Sequence, residues 1–69
     1  MPAYLVDLTS LAPSDRVKAC ERIATAAWEV FEQYVSHELV AAKVMWDRAE
    51  DFTTSSVFPA GCKCTKISD

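Results

Sequence analysis

The start of the chain consists of an apolar run followed by a polar break. Residues 3 to 8 are mostly apolar, and the run ends at Thr9 and Ser10. Its length and its Tyr and Val content predict a strand that is buried on at least one face. In the break that follows, Ser14 is the expected helix N-cap, and Asp15 is expected at the positive end of the helix dipole.

From residue 15 to about residue 34, apolar residues recur every three or four positions. This spacing predicts one amphipathic helix of about twenty residues. Ile23 and Trp28 widen the apolar stripe, as is typical of a helix lying across a sheet. Cys20 is expected as a small core residue, and both Trp28 and Trp46 as packing residues. The recurring apolar positions are Val17, Cys20, Ala24, Ala27, Phe31 and Val35.

Residues 38 to 52 permit two interpretations. Apolar residues at 40, 42, 44 and 46 alternate with others, which is typical of a strand. At a period of 3.6 residues, Leu39, Ala42 and Met45 gather on one side with Trp46, and the residue types favour a helix by propensity. Val40 and Val44 would then lie on the polar side of that helix. The residue pattern alone leaves both interpretations open.

The last part of the chain contains two further segments. Residues 53 to 61 are β-branched and rich in hydroxyl groups before Pro59-Ala60-Gly61, which predicts a short edge strand or one arm of a hairpin. Residues 62 to 69 are expected to form a flexible C-terminal tail. The expected organisation is therefore one domain over residues 1–61, followed by this tail.

Composition narrows the class of protein. The chain has 69 residues, of which 51% are hydrophobic, and its net charge is −3. It is too apolar for a disordered segment and too short for two domains. The acidic charge argues against a nucleic-acid partner. A globule this small is marginally stable alone, so oligomerisation is expected.

Localisation and metal binding are predicted from what the sequence lacks. No apolar stretch approaches the ~18 residues that span a bilayer, and the first residues do not resemble a signal peptide. Three cysteines suit a reducing compartment, and the expectation is a cytoplasmic protein without a membrane partner. Cys62 and Cys64 are too few ligands for a structural zinc site, because the only histidine, His37, is distant in sequence. No metal and no cofactor are expected.

Pro2 is the one residue that suggests chemistry by its position. Cells normally remove an initiator Met that precedes a small residue such as Pro, which would leave a secondary amine at the end of a buried strand. Apolar walls and nearby cations lower the pKa of such an amine toward neutrality. The neutral amine can then act as a general base.

Over about residues 2 to 60, the chain resembles the short-chain members of the tautomerase superfamily, typified by 4-oxalocrotonate tautomerase. The resemblance lies in the Met-Pro start, the apolar run 3–8, a helix of about twenty residues, the segment Lys43-Val44-Met45-Trp46, and Phe52. The Gly-Arg pair that usually follows the first strand in that family is absent. Lys43 aligns with the substrate-binding arginine of the second strand, and Arg48 is a shifted alternative.

The resemblance implies an α+β fold with a single β-α-β unit, in which residues 39–46 form a strand parallel to residues 3–8. A short C-terminal strand or hairpin would follow. Oligomerisation would complete the unit as a dimer-based homo-oligomer, extending to a hexamer, or as a hetero-oligomer with a homologue.

The activity that the resemblance implies is tautomerisation of a small enol or keto acid. Pro2 would be the catalytic base, Lys43 or Arg48 would hold the substrate carboxylate, and Phe52 would exclude water. The competing hypotheses are a non-catalytic structural or interaction protein and an inactive subunit paired with an active homologue.

Overall fold

The computed structural model describes all residues from Met1 to Asp69 and contains one α-helix and one four-stranded sheet. The elements in chain order are β1 (Ala3–Asp7), α1 (Pro13–Ala24), β2 (Glu29–Val35), β3 (Glu38–Met45), a 3₁₀ turn (Phe52–Thr54) and β4 (Lys63–Ser68). The sheet order is β2-β3-β1-β4, and every neighbouring pair is antiparallel. The α+β class is confirmed.

The topology differs from the expected β-α-β unit because β3 lies between the two strands that the helix connects. Residues 38 to 45 do form a strand, but β3 runs antiparallel to β1, so the expected parallel pairing is wrong. Since β1 and β2 both run antiparallel to β3, they are parallel to each other and β3 lies between them. The connection β1-α1-β2 is thus a split β-α-β unit.

The predicted twenty-residue helix is about half as long as expected. α1 ends at Ala24, and the second half of the expected helix forms β2. Five of the eight residues 28–35 are aromatic or β-branched, and these types fit a strand better than a helix. At its other end, α1 begins with Ala12 as N-cap and Pro13 in its first turn, so the expected Ser14 cap is wrong, whereas Asp15 does lie in the first turn.

Two predictions for the C-terminal part are also corrected. Residues 53–61 contain the end of a 3₁₀ turn and no strand. In place of a flexible tail, residues 63–68 form β4, which pairs along the whole of β1. Because β1 is apolar and central, it needs a partner for its backbone on both sides, and β4 supplies the second one.

The core lies on one face of the sheet only. Tyr4, Val6 and Leu8 of β1 project to this face, and α1 covers it with Cys20 and Ile23. From β3 the same face receives Leu39, Ala42 and Val44, followed by Trp46. A bulge at Val40 shifts the register, so that Leu39 also reaches the core. The opposite face of the sheet carries no layer of its own chain.

Ser36 and His37 connect β2 to β3 in a two-residue hairpin turn. Both have positive φ values, 51° and 69°, which is the backbone of a type I′ turn and which Asn-Gly adopts most easily. The double substitution S36N/H37G should therefore raise the free energy of unfolding by about 1 kcal/mol, because it relieves strain at both positions. Urea unfolding measures this change. The control is S36V/H37V, which should lower the free energy of unfolding because β-branched residues disfavour positive φ. A higher free energy of unfolding for the valine variant would contradict the turn assignment.

Candidate functional site

Pro2 lies at the start of the central strand. Its carbonyl accepts a hydrogen bond of 2.9 Å from the backbone N–H of Trp46, which anchors it across from the end of β3. By the alternation of side chains, Pro2 projects to the same face as Tyr4. Met1 precedes it and is about half exposed.

Lys43 and Arg48 lie in different surroundings from each other. Lys43 projects from the face of the sheet opposite to the core, and its Nζ lies 5.9 Å from the ring centroid of Phe31. Arg48 lies beyond β3, where its Nε donates a 2.9 Å hydrogen bond to the carbonyl of Ala26. Its guanidinium also stacks on Trp46 at 5.8 Å and approaches Glu50 at 3.9 Å. Arg48 Nε is therefore engaged within the chain, whereas the side chain stays about half exposed.

Phe52 is fully buried. Its ring contacts those of Tyr4, Trp46 and Phe58, with centroids 5.2, 5.1 and 5.3 Å away. These rings cover the part of the sheet that α1 does not reach. Phe52 is thus a core aromatic, and no surface of its ring is free to contact a substrate in this chain.

The four residues expected to form a proton-transfer site are thus not brought together within one chain. Pro2 and Lys43 project to opposite faces of the sheet, and Arg48 is engaged with Ala26 and Glu50. The tautomerase chemistry stays a prediction that this geometry does not support.

A groove of about 330 Å³ lies between α1 and β2. Val17, Cys20 and Ala24 of α1 form one wall, and Val30 and Tyr34 of β2 form the other. α1 packs over both β3 and β2, and β2 is the edge strand on this side of the sheet. The floor and walls of the groove are mostly apolar.

The polar groups of the groove are acidic. Glu21 and Glu32 line it from opposite walls, both are exposed, and no lysine or arginine lines it. Partial desolvation, followed by the charge of Glu32, raises the pKa of Tyr34. Burial, again followed by the charge of Glu32, raises the pKa of the Cys20 thiol to about 11. Cys20 and Tyr34 are therefore neutral at pH 7, and the groove carries the charge of its two carboxylates.

The other two cysteines lie at β4. Both are partly buried against the core, and the Ser10 hydroxyl is 3.8 Å from the Cys62 sulfur. Burial and the charge of Asp51 raise the pKa of Cys64 to about 11, so it is a protonated packing residue at neutral pH. The structure brings together no group of three or more His, Cys, Asp or Glu residues that could hold a metal ion. No helix has the length and apolar character needed to cross a membrane.

β2 is the most exposed element of the sheet. It pairs on one side only, with β3, and large apolar side chains stand out on both of its faces. Trp28, expected as a packing residue, is 60% exposed at its start, which corrects that expectation. The missed signal is the aromatic and β-branched content of residues 28–35, which the helical period concealed. The exposed apolar residues of this segment are Trp28, Phe31, Tyr34 and Val35.

Comparison of the chain with protein-family models, with curated proteins and with solved structures finds no match.

Proposed function

We propose that this protein is a non-catalytic interaction module that binds an extended peptide segment along β2. The observation that carries the proposal is the groove between α1 and a sheet edge that pairs on one side only. An extended segment added to such an edge gains main-chain hydrogen bonds, and its alternate side chains enter the adjacent groove. The seven residues of β2 offer an edge long enough for a segment of similar length.

The groove defines the chemistry of that segment. Its apolar walls suit an aliphatic side chain such as Val or Leu, since about 330 Å³ exceeds the volume of one such group. Glu21 and Glu32 favour a Lys or Arg near it, and the net charge of −3 favours the approach of a basic segment over long distances. The expected partner is a protein with an exposed, extended, basic and apolar segment.

Binding of a defined probe tests this function. The probe, called the Val-Lys peptide, is a fluorescein-labelled nine-residue peptide in which Val and Lys occupy every second position in turn and Thr fills the others, so that Val and Lys project to the same face of the added strand. Fluorescence anisotropy reports its binding. Two matched peptides serve as comparisons, one with Glu at every Lys position and one with Pro at every second position. We expect the Val-Lys peptide to bind and the Pro peptide to fail, because Pro cannot donate main-chain hydrogen bonds.

Charge reversal in the groove gives the second arm of this experiment. E21K and E32K should each weaken binding of the Val-Lys peptide by about fivefold to tenfold. D47K makes the same change at an exposed residue that does not line the groove, and it should leave binding within twofold. No binding of the Val-Lys peptide, or equal binding of the Val-Glu peptide, would overturn the proposal.

A further inference from the structure

β4 forms the second free edge of the sheet, on the side opposite to β2. It pairs on one side only, with β1, and its six residues nearly match the seven of β2. Lys63 and Lys66 are exposed on β4, and no residue of that strand is acidic. β2 carries Glu29 and Glu32, both exposed, and no lysine or arginine. One free edge of the sheet is therefore basic and the other is acidic.

The hydrogen bonds of the inner strands show which backbone groups the β4 edge leaves free. The N–H of Leu8 donates to the carbonyl of Val40, so the even-numbered residues of β1 bond to β3 and the odd-numbered ones bond to β4. Leu5 and Thr65 therefore form a hydrogen-bonded pair. Since these directions alternate along a strand, Lys66 points its N–H and C=O away from the sheet.

The same alternation applies to β2. Because the even-numbered residues of β3 bond to β1, Lys43 bonds to its partner Phe31, and the next residue, Glu32, points its N–H and C=O outward. The side chains of Glu32 and Lys66 also project to the same face of the sheet. Glu32 lines the groove beside α1, and Lys66 is level with Tyr4, whose side chain lies in the core on that face. The two residues match in backbone direction, face and charge.

We infer that β4 of a second copy pairs antiparallel with β2, so that copies add head to tail in one continuous sheet. β2 runs parallel to β1 and β4 runs antiparallel to it, so a copy shifted sideways without rotation presents β4 antiparallel to β2. The register that sets Lys66 opposite Glu32 pairs residues 63–66 with residues 32–35. The inference rests on the proposed function, because it names β4 of a second copy as a segment that β2 binds.

Charge favours this register over the pairing of two β2 edges. Lys66 of the second copy would lie beside both carboxylates of the groove, those of Glu21 and Glu32. Two β2 edges in full overlap would instead set Glu32 opposite itself, and like charges that face each other across strands are destabilising. The chosen register also sets Glu29 opposite Asp69, which weakens it at one end. Because the contact is a single strand edge, the assembly is expected to be reversible.

Sedimentation equilibrium over a wide range of concentration tests the inference. The wild-type mass should rise from that of a 7.7 kDa monomer to beyond twice that value, since a head-to-tail contact leaves a free edge at each end. E32K and K66E should each weaken association by about fivefold to tenfold, and E32K/K66E should associate more strongly than either. K18E changes charge on an exposed part of α1 and should associate as the wild type does. A double variant no better than the single variants would overturn the inference.

Proline at each edge distinguishes head-to-tail pairing from symmetric pairing. Pro removes a backbone N–H, and at positions 32 and 66 that N–H points away from the sheet, so the fold should be retained, as circular dichroism checks. E32P blocks the β2 edge and K66P blocks the β4 edge. Each variant alone should be monomeric, whereas an equimolar mixture should form a dimer and nothing larger. Dimers of K66P alone would show pairing of two β2 edges, dimers of E32P alone would show pairing of two β4 edges, and either result would overturn the inference.

The Val-Lys peptide separates failure of this inference from failure of the proposed function. Its binding is measured at a protein concentration at which the wild type is monomeric. If the peptide binds but the protein stays monomeric at every concentration, the inference is wrong and the function stands. If the protein assembles, an excess of the peptide should dissociate the assemblies, because both occupy β2, and assemblies that persist would overturn the inference. No binding of the peptide would overturn the function and the inference together.

Discussion

Replacing Phe52 by alanine is expected to lower the free energy of unfolding by about 3–5 kcal/mol. Phe52 is fully buried and contacts three other aromatic rings, so its removal would leave a cavity that Tyr4, Trp46 and Phe58 cannot fill. A domain of this size has a total stability of only about 3.5–10 kcal/mol. The expected loss is therefore a large fraction of the total stability.

Urea unfolding followed by circular dichroism measures this loss. Phe31 is the matched control, because it is the same residue type on the sheet but is 46% exposed. F31A should cost less than about 1 kcal/mol. A loss below about 1.5 kcal/mol in F52A, or losses of equal size in both variants, would contradict the central position given to Phe52.

Replacing Arg16 by methionine should cost about 2–3 kcal/mol. The Arg16 guanidinium donates hydrogen bonds to three carbonyls, those of Leu11 at 3.0 Å, Leu39 at 3.1 Å and Thr9 at 3.4 Å. It thereby joins the β1-α1 connection to the start of β3. Met keeps the apolar stem and removes every donor, so the loss reports on the hydrogen bonds.

The same unfolding measurement separates charge from geometry at this position. R16K keeps the positive charge but has a single ammonium nitrogen in place of the three guanidinium nitrogens. It should therefore recover less than half of the stability that R16M loses. R22M is the control, because Arg22 donates one exposed hydrogen bond, to the carbonyl of Ser56, and should cost less than about 1 kcal/mol. Full recovery in R16K would show that charge alone matters there.

The parts of the fold that local pattern could predict are those with one dominant period. The run 3–8 contains a strand, and Asp15 lies in the first turn of a helix as expected, although that helix begins at Pro13 and not after Ser14. Cys20 and Trp46 are buried as the pattern indicated. For the strand, Cys20 and Trp46, the side chains that set the pattern also form the core.

The parts that the pattern could not predict depend on backbone partners distant in sequence. Residues 28–35 have both a helical period and strand-type residues, and pairing with β3 decides between them. The turn at Ser36 and His37 lacks the Asn-Gly signal of its type. Residues 63–68 are mostly polar and look like a tail, but β1 needs a second partner, and that need is not visible in the segment itself.

The candidate site was missed for the same reason. The helical period predicts Glu32 and Tyr34 on the same helix as Glu21, whereas in the sheet they lie across a groove from it. Within one chain, Pro2 and Lys43 project to opposite faces of the sheet, because faces alternate along paired strands.

The order of strands in the sheet has a consequence for how the chain folds. β2 and β3 are joined by two residues and can pair locally within about 1–10 μs. β1 has no such neighbour, because Leu5 pairs with Lys43 on one side and with Thr65 on the other. During synthesis the most apolar strand therefore emerges first and waits for both partners. Until β3 and β4 arrive, that unpaired strand is the part of the nascent chain most prone to aggregation.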